Sequence, residues 1–496
     1  MSKKNKIKKI QVRVGSAPPS TTITPKNAIQ KRSSKWLLLL KPHFAFAILA
    51  FVFGSLFVVT TPPFQVPDEA AHFFRVYSLS EFHVKQQIEN NRVGTHLPSS
   101  LDSINTMFNY LRFNPDNKVP DGKIRSALKI PLENSKRKFI MNSGGGYFYF
   151  SYLPQLPAVV IGKIFKMNAL YILYLGRFLA LLFYIVCVGY ALKIIPFGKL
   201  LLTTVALMPM SLAQASSYNA DCVAFSFAFL SVAIILKNIF NKEDFKFDLE
   251  KIFLLSMLAI MGVLKPVLLP IALLLFMIPK KKFKSNLHYY LISSLTFLLA
   301  FVLAVIWYKI ATSVGNAISN IDIDSKAIDP AVKIAELKNN PFAIFDVLQK
   351  TFGYFYKMYY KSTIGILGYL DTFLPSSLYS TFGLLIIFLT IFDADKNYSF
   401  KIYQRSILFL IAASVVFFTI LAMYIITTRL SVGHITEGVQ GRYFIPILIP
   451  LFLAFYKLSP LKVNVSNNKI LCGIVYIILF VLLIQTQLVL QERYYG

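Results

Sequence analysis

Cysteine is nearly absent from this chain. The three there are, Cys187, Cys222 and Cys472, lie in apolar segments with neither metal-ligand spacing nor an evident partner, which argues against a disulfide framework and a zinc site. They read as packing residues. Acidic residues are scarce too: 23 Asp and Glu stand against 52 Lys and Arg, a formal charge of +29. Such an excess could suit nucleic acid, but the basic residues fall mainly in the N-terminal tail and between apolar runs, as membrane topology signals do, so nucleic-acid binding is set aside. The tail from Met1 to Ser34 carries no acid and a Ser/Thr/Pro-rich patch. It reads as a disordered cytoplasmic anchor, too long and polar for the n-region of a cleaved signal peptide. No internal repeat of the transporter kind and no nucleotide-sugar fold is visible.

What the chain has in plenty is apolar sequence, 55% of 496 residues, in several runs long enough to cross a hydrocarbon core of roughly 30 Å. The expected fold is an all-α polytopic membrane protein of about eleven transmembrane helices. Residues 1–35 form the tail, 36–60 the first span, and 61–168 a large extracytoplasmic loop with interfacial helices. A transmembrane bundle at 169–312, a second outer loop at 313–376 and C-terminal helices at 377–496 follow. Within the first loop, Gly144-Gly145-Gly146 is a flexible joint. The run Tyr152 to Lys166, broken by Pro154 and Pro157, reads as lying in the interface. Ile252 to Ile278 reads as a hairpin turning at Lys265, because only a hairpin keeps both flanking lysine clusters on one side. Its arms, at about 13 residues, would each reach roughly 20 Å. This parity puts Lys396, Lys401, Arg405, Lys457, Lys462 and Lys469 inside and the C-terminus outside.

The same parity gathers every chemically interesting group on the outer face. Asp68 and Glu69 follow the first span in Pro62-Pro63-Phe64-Gln65-Val66-Pro67-Asp68-Glu69, and helical spacing places Asp68, His72 and Arg75 near one face. Asp221, Lys265, Asp371, Gln440 and Arg442 fall on the same side. A carboxylate able to take a proton, beside cations able to hold a phosphate, is what glycosyl transfer from a lipid phosphate needs. Plainer readings stand beside this one. Asp68-Glu69 and Asp221 suit helix caps, and Lys265 and Arg442 suit interfacial anchors. His72 has no second His or Cys at ligand spacing, so no metal site is indicated.

The motifs PPFQVPDE with His72 and Arg75, then Tyr152-Leu153-Pro154-Gln155, then Gln440-Gly441-Arg442-Tyr443-Phe444-Ile445-Pro446, resemble a family of uncharacterised bacterial multi-spanning membrane proteins over almost the whole chain past the tail. More distantly, an acidic pair in the first outer loop, an interfacial segment after it and a lysine between two short helices are similar to the GT-C class of membrane glycosyltransferases. That resemblance implies a polyprenyl-phosphate-linked sugar donor, an envelope glycan, lipid or polymer as acceptor, and an inverting displacement at the outer face of the cell membrane. It implies Asp68 as base with Glu69 its neighbour, and Lys265 on the donor phosphate. To this the residues themselves add Arg442 and Arg75 as further phosphate holders, and His72, Asp221, Asp371, Gln440 and Tyr152 as candidate site residues. His72 stands one position later than in the Asp-Glu-x-His pattern of protein mannosyltransferases, so the acceptor class does not carry over. No cofactor is indicated, and the need for a divalent cation is not legible. The rival expectation is a transporter or flippase of lipid-linked sugars, or a scaffold of envelope synthesis, with Arg177 the main intramembrane charge.

Overall fold

The computed structural model describes residues 40–90, 92–142, 146–315, 328–393, 395, 397–457, 463 and 465–496. The basic tail, Gly144 and Gly145 of the glycine joint, Lys396 and Lys462 lie outside them. The first helix is α1, Pro42–Thr60, and the first loop opens with α2, Glu69–Leu79. A three-stranded antiparallel sheet follows, β1 (Gln87–Glu89), β2 (Arg92–Pro98) and β3 (Arg137–Met141), in the order β1-β2-β3. The helical reading of this loop missed that sheet. Its central strand pairs with a segment some forty residues on, Thr95 opposite Ile140, and only Thr95, Leu97 and Ile140 offer a buried alternation.

Among the described residues six helices are long and apolar enough to cross a membrane: α1, then α4 (Ala169–Ile194) after the short α3 (Leu156–Ile164), α7 (Asp221–Phe240), α9 (Asn286–Gly315), α13 (Ile402–Ile426) and α15 (Lys469–Tyr495). The other crossings of the expected topology fall on shorter or interrupted elements. These are α5 (Lys199–Ala206) with α6 (Pro209–Ala215), α8 (Leu249–Leu264), a 3₁₀ arm at Pro266–Met277, α12 (Ser376–Phe392) and α14 (Ile445–Ala454). Two further helices, α10 (Pro330–Asn339) and α11 (Ala343–Gly365), occupy the second loop.

The chain does turn back at Lys265. The Phe245 N–H before α8 donates to the carbonyl of Lys282 beyond the 3₁₀ arm at 2.8 Å, and the Lys282 ammonium reaches the Asn238 and Asn241 carbonyls at 2.7 and 2.6 Å. Both ends of the segment therefore meet at one end of the bundle. The 12-residue arm, at about 2.0 Å per residue, matches the 16-residue α8, at about 1.5 Å per residue. Each reaches about 24 Å, longer than α-helical spacing alone had suggested. Gly262 lets α8 close on α9, since a Cβ there would lie 2.6 Å from the Ala300 carbonyl oxygen.

Helix ends sort onto two faces. On one, Arg493 at the end of α15 donates to the carbonyls of Leu111 and Asn117 in the first loop at 2.8 and 2.9 Å. On the other, Arg405 of α13 donates to the carbonyls of Ala454 and Tyr456 beyond α14, both at 2.8 Å. The segment after α13 runs along α11, with Thr436 N–H on Thr351 Oγ1 and Gly441 N–H on Ser362 Oγ, each 2.9 Å. His434 in that segment sits between carboxylates of Asp346 on α11 and Glu336 on α10.

Candidate functional site

The adjacent acids of the first loop part company. Asp68 adopts a left-handed backbone (φ 65°), makes no side-chain cap bond, and leaves its side chain 55% exposed. Its role is therefore not that of a helix cap. Glu69 turns the other way into the core. It accepts from Arg177 Nε at 2.8 Å and Nη2 at 2.6 Å, and from the backbone N–H groups of Phe64 at 3.0 Å and Tyr218 at 3.2 Å. Those bonds occupy the acceptor capacity of a carboxylate, and Glu69 is fully buried. Arg177 in turn spends its remaining N–H groups on the carbonyls of Val58, Thr61 and Pro62 at the end of α1, so each guanidinium donor is used. The pair staples the end of α1 to α4, and Glu69 faces no open space.

Three other expected residues do meet, with Asp68 at their edge. Lys265 at the hairpin turn pairs with Asp221 Oδ1, and Arg442 approaches Asp221 Oδ2 at 3.7 Å and Asp68 Oδ2 at 3.6 Å. The Tyr443 ring lies under both cations, 4.9 Å from Lys265 Nζ and 5.6 Å from Arg442 Cζ, within cation–π range. Arg442 Nη1 also points at Gln214 Oε1, 3.4 Å away. Asp221 is free for this work because it caps nothing. Asn219 Oδ1 instead accepts from the N–H groups of Asp221 and Cys222 at 2.8 and 2.9 Å, opening α7.

One wall of the cluster is aromatic. His72 Nδ1 lies 2.8 Å from the Tyr152 hydroxyl, and the Tyr147 ring stands 5.0 Å from the imidazole. Burial, then the charge of Arg442, pushes His72 down to about 3, so at neutral pH it is an uncharged imidazole. Burial likewise raises both tyrosines, keeping them protonated. Beside Arg442 a narrow apolar cleft of about 10 Å³, lined by Phe57, Val66, Met210 and Leu367 among others, has the room of a single water.

Two expected residues are engaged elsewhere, and the Gln440 side chain pairs with none of the described cluster residues. Arg75 is buried and donates to the carbonyls of His83 and Val84 at 3.1 and 2.7 Å, closing the turn after α2. Asp371 pairs with Arg493 at 3.0 Å, fastening a small antiparallel pair, Ile366–Leu367 with Thr372–Phe373, to α15. Gln440 precedes the Gly441–Phe444 turn, and its Oε1 is buried without a hydrogen-bond partner. Of the other residues at the cluster, Tyr443 stands in the Gln440-Gly441-Arg442-Tyr443 motif and Tyr147 in the aromatic group after the glycine joint, whereas Gln214, inside an apolar run, carried no signal. Among the described residues no group of three His, Cys, Asp or Glu could hold a metal ion.

A mostly helical chain with several apolar helices and a charged cluster where their ends converge is a multi-pass membrane protein. It belongs to the family described as predicted membrane protein (DUF2142), whose model matches residues 51–451, a span that includes every residue of the cluster. No curated protein and no solved structure matches the chain.

Proposed function

We propose that this is a GT-C-like glycosyltransferase, moving a sugar from a polyprenyl-phosphate donor to an envelope glycan, lipid or polymer at the extracytoplasmic face. The observation that carries the reading is the exposed Asp68 carboxylate held 3.6 Å from Arg442, in a cluster where Lys265 and Arg442 share only one buried counter-charge, Asp221. Asp68 accepts the proton of the acceptor hydroxyl as its oxygen attacks the anomeric carbon. The bond from that carbon to the phosphate oxygen breaks on the opposite face, inverting the centre, and the leaving phosphate takes its charge to Lys265 and Arg442. The neutral His72 with Tyr152 and Tyr147 forms an uncharged wall beside the sugar. The narrow cleft at Arg442 has to widen to admit a donor.

In this reading the basic residues near Lys282, Arg405 and Lys457 mark the cytoplasmic face and the N-terminus lies inside. The transport reading loses its main observation, because Arg177 has no donor left to offer a passing ion. The test is transfer from a panel of polyprenyl-phosphate sugars to envelope extracts by purified wild type and Asp68→Asn. Asn tolerates the left-handed backbone at this position, so loss of product in the variant reports on the carboxylate. Equal product from both would remove Asp68 as base. No product, with movement of labelled lipid-linked sugar across vesicles by both proteins, would replace transferase by flippase.

A further inference from the structure

We infer that the outward face of α11, with the adjoining end of α10, is an in-plane docking surface for anionic phospholipid. This assignment is independent of the transferase reading. The second outer loop is of mixed charge, and α11 within it has the build of an amphipathic interfacial helix. Ile344, Val347, Thr351 and Tyr359 bury one side of it. On the opposite side Phe342, just before the helix, and Phe345 stand at its start and Tyr356 and Tyr360 near its end, along one exposed line with Gln349 and Gly353 between them; Phe345 is 60% and Tyr356 56% exposed. An aromatic stripe of this kind is the composition of the headgroup level of a bilayer.

Charge lies along one edge of that stripe. Lys350 is held by Asp346 at 2.8 Å, but Lys357 and Lys361 on α11 and Lys338 on α10 pair with no carboxylate among the described residues. Lys357 and Lys361 instead lie 5.8 and 5.7 Å from the rings of Tyr356 and Tyr379. Near the start of α11, away from Lys357 and Lys361, a groove of about 340 Å³ runs between Ile334 and Leu337 of α10, Ile344 of α11, and Phe417 and Leu421 of α13, with Lys338 on its lining. An apolar groove rimmed by an unpaired ammonium complements one ligand in both its parts: an acyl chain in the groove and a negative headgroup at the lysine. Charge complementarity therefore selects anionic over zwitterionic lipid.

The test uses the full chain in vesicles. Its three native cysteines are buried, so single cysteines introduced as Phe345→Cys and Tyr356→Cys take a spin label selectively. In vesicles containing phosphatidylglycerol, both labels are expected to collide with dissolved oxygen in preference to a water-soluble nickel chelate. The wild type should retain phosphatidylglycerol over phosphatidylcholine on purification. The combination Lys338→Gln, Lys357→Gln and Lys361→Gln should cut that preference about fivefold or more. Labels reached equally by the nickel chelate with and without phosphatidylglycerol would overturn the assignment. So would spin–spin broadening that places a second copy of the chain on the stripe. Should the triple variant not fold, the label accessibilities in the otherwise native chain still decide.

Discussion

Removing the charge of Glu69 separates the two acids of the first loop more sharply than any other perturbation. In Glu69→Gln the side chain keeps its length and one acceptor oxygen, but the Arg177 guanidinium is left fully buried without a counter-charge. Breaking a buried pair in this way costs about 3–5 kcal/mol. Glu69→Ala adds the loss of acceptors for the Phe64 and Tyr218 N–H groups, each about 1–3 kcal/mol when orphaned. Arg177→Gln strands the carboxylate and three carbonyls at the end of α1, and belongs in the same range. Because the residues act as one unit, the double variant Glu69→Gln/Arg177→Gln should fall short of the sum by about 1–3 kcal/mol.

The assay is equilibrium unfolding of the purified protein in mixed micelles, followed by tyrosine and tryptophan fluorescence. Asp68→Asn, one residue away, is expected within about 0.5 kcal/mol of wild type, since Asp68 is exposed and makes no cap bond. If Glu69→Gln were as stable as Asp68→Asn, or if the Glu69 and Arg177 effects simply added, the stapling argument would fail and Glu69 would return as a candidate for chemistry.

Other outcomes follow from the same geometry. Lys265→Gln and Arg442→Gln should each lower transfer by about 10²–10³-fold, the size of losing one donor to a developing oxyanion, measured as kcat at saturating donor. Gly441→Ala should cost about 1–3 kcal/mol and displace Arg442, because its Cβ would stand 2.3 Å from the Thr363 nitrogen and the Tyr359 oxygen. Gly189→Ala, where nothing lies within 4 Å, is the matched control and should be neutral or slightly stabilising. The hydrogen bond to Asp346, with that to Glu336 behind it and partial burial opposing, raises His434 above its ordinary 6.5. A histidine raised in the folded state contributes stability that is complete below the unfolded value and is lost as pH rises through the folded one. Amide exchange in residues 430–440 should therefore quicken as pH climbs above 6.5, after correction for intrinsic rate, and His434→Gln should remove that dependence.

The parts of this molecule legible in its sequence were those written in apolar length and charge placement. Six of the expected spans fall on helices long and apolar enough to cross a membrane, and the reversal at Lys265 followed from lysines at both ends of one apolar stretch. What escaped was decided by pairing at a distance. The sheet in the first loop depends on β2 pairing with β3 some forty residues further on. Arg75 and Asp371 have the right residue types in the right loop, yet each finds a partner close at hand, backbone carbonyls for Arg75 and Arg493 for Asp371. Nothing local distinguishes a carboxylate with a partner from one without. Asp68 and Glu69 make the point most plainly: adjacent, chemically alike, and sent to opposite environments by a left-handed turn at Asp68.

The cluster itself has a reason to exist that does not depend on any particular substrate. Asp221 stands at the first turn of α7, where a helix N-terminus favours negative charge, and Lys265 follows the last turn of α8, where a C-terminus favours positive charge. Antiparallel neighbours thus place opposite charges side by side at one face at little electrostatic cost. Arg442 breaks this rule, since it sits in the turn leading into α14 with its guanidinium 6% exposed, at an end whose dipole opposes it. Asp221 and Asp68 offset that only through contacts longer than 3.5 Å, which leaves the Nε of Arg442 buried with no hydrogen-bond partner. A cation held at an unfavourable helix end, loosely paired and turned toward the exposed carboxylate of the cluster, suits the role proposed for it, that of receiving the leaving phosphate. Arg442→Gln should on that argument cost the resting protein much less stability than removal of Arg177 does, while lowering transfer by the same factor of about 10²–10³.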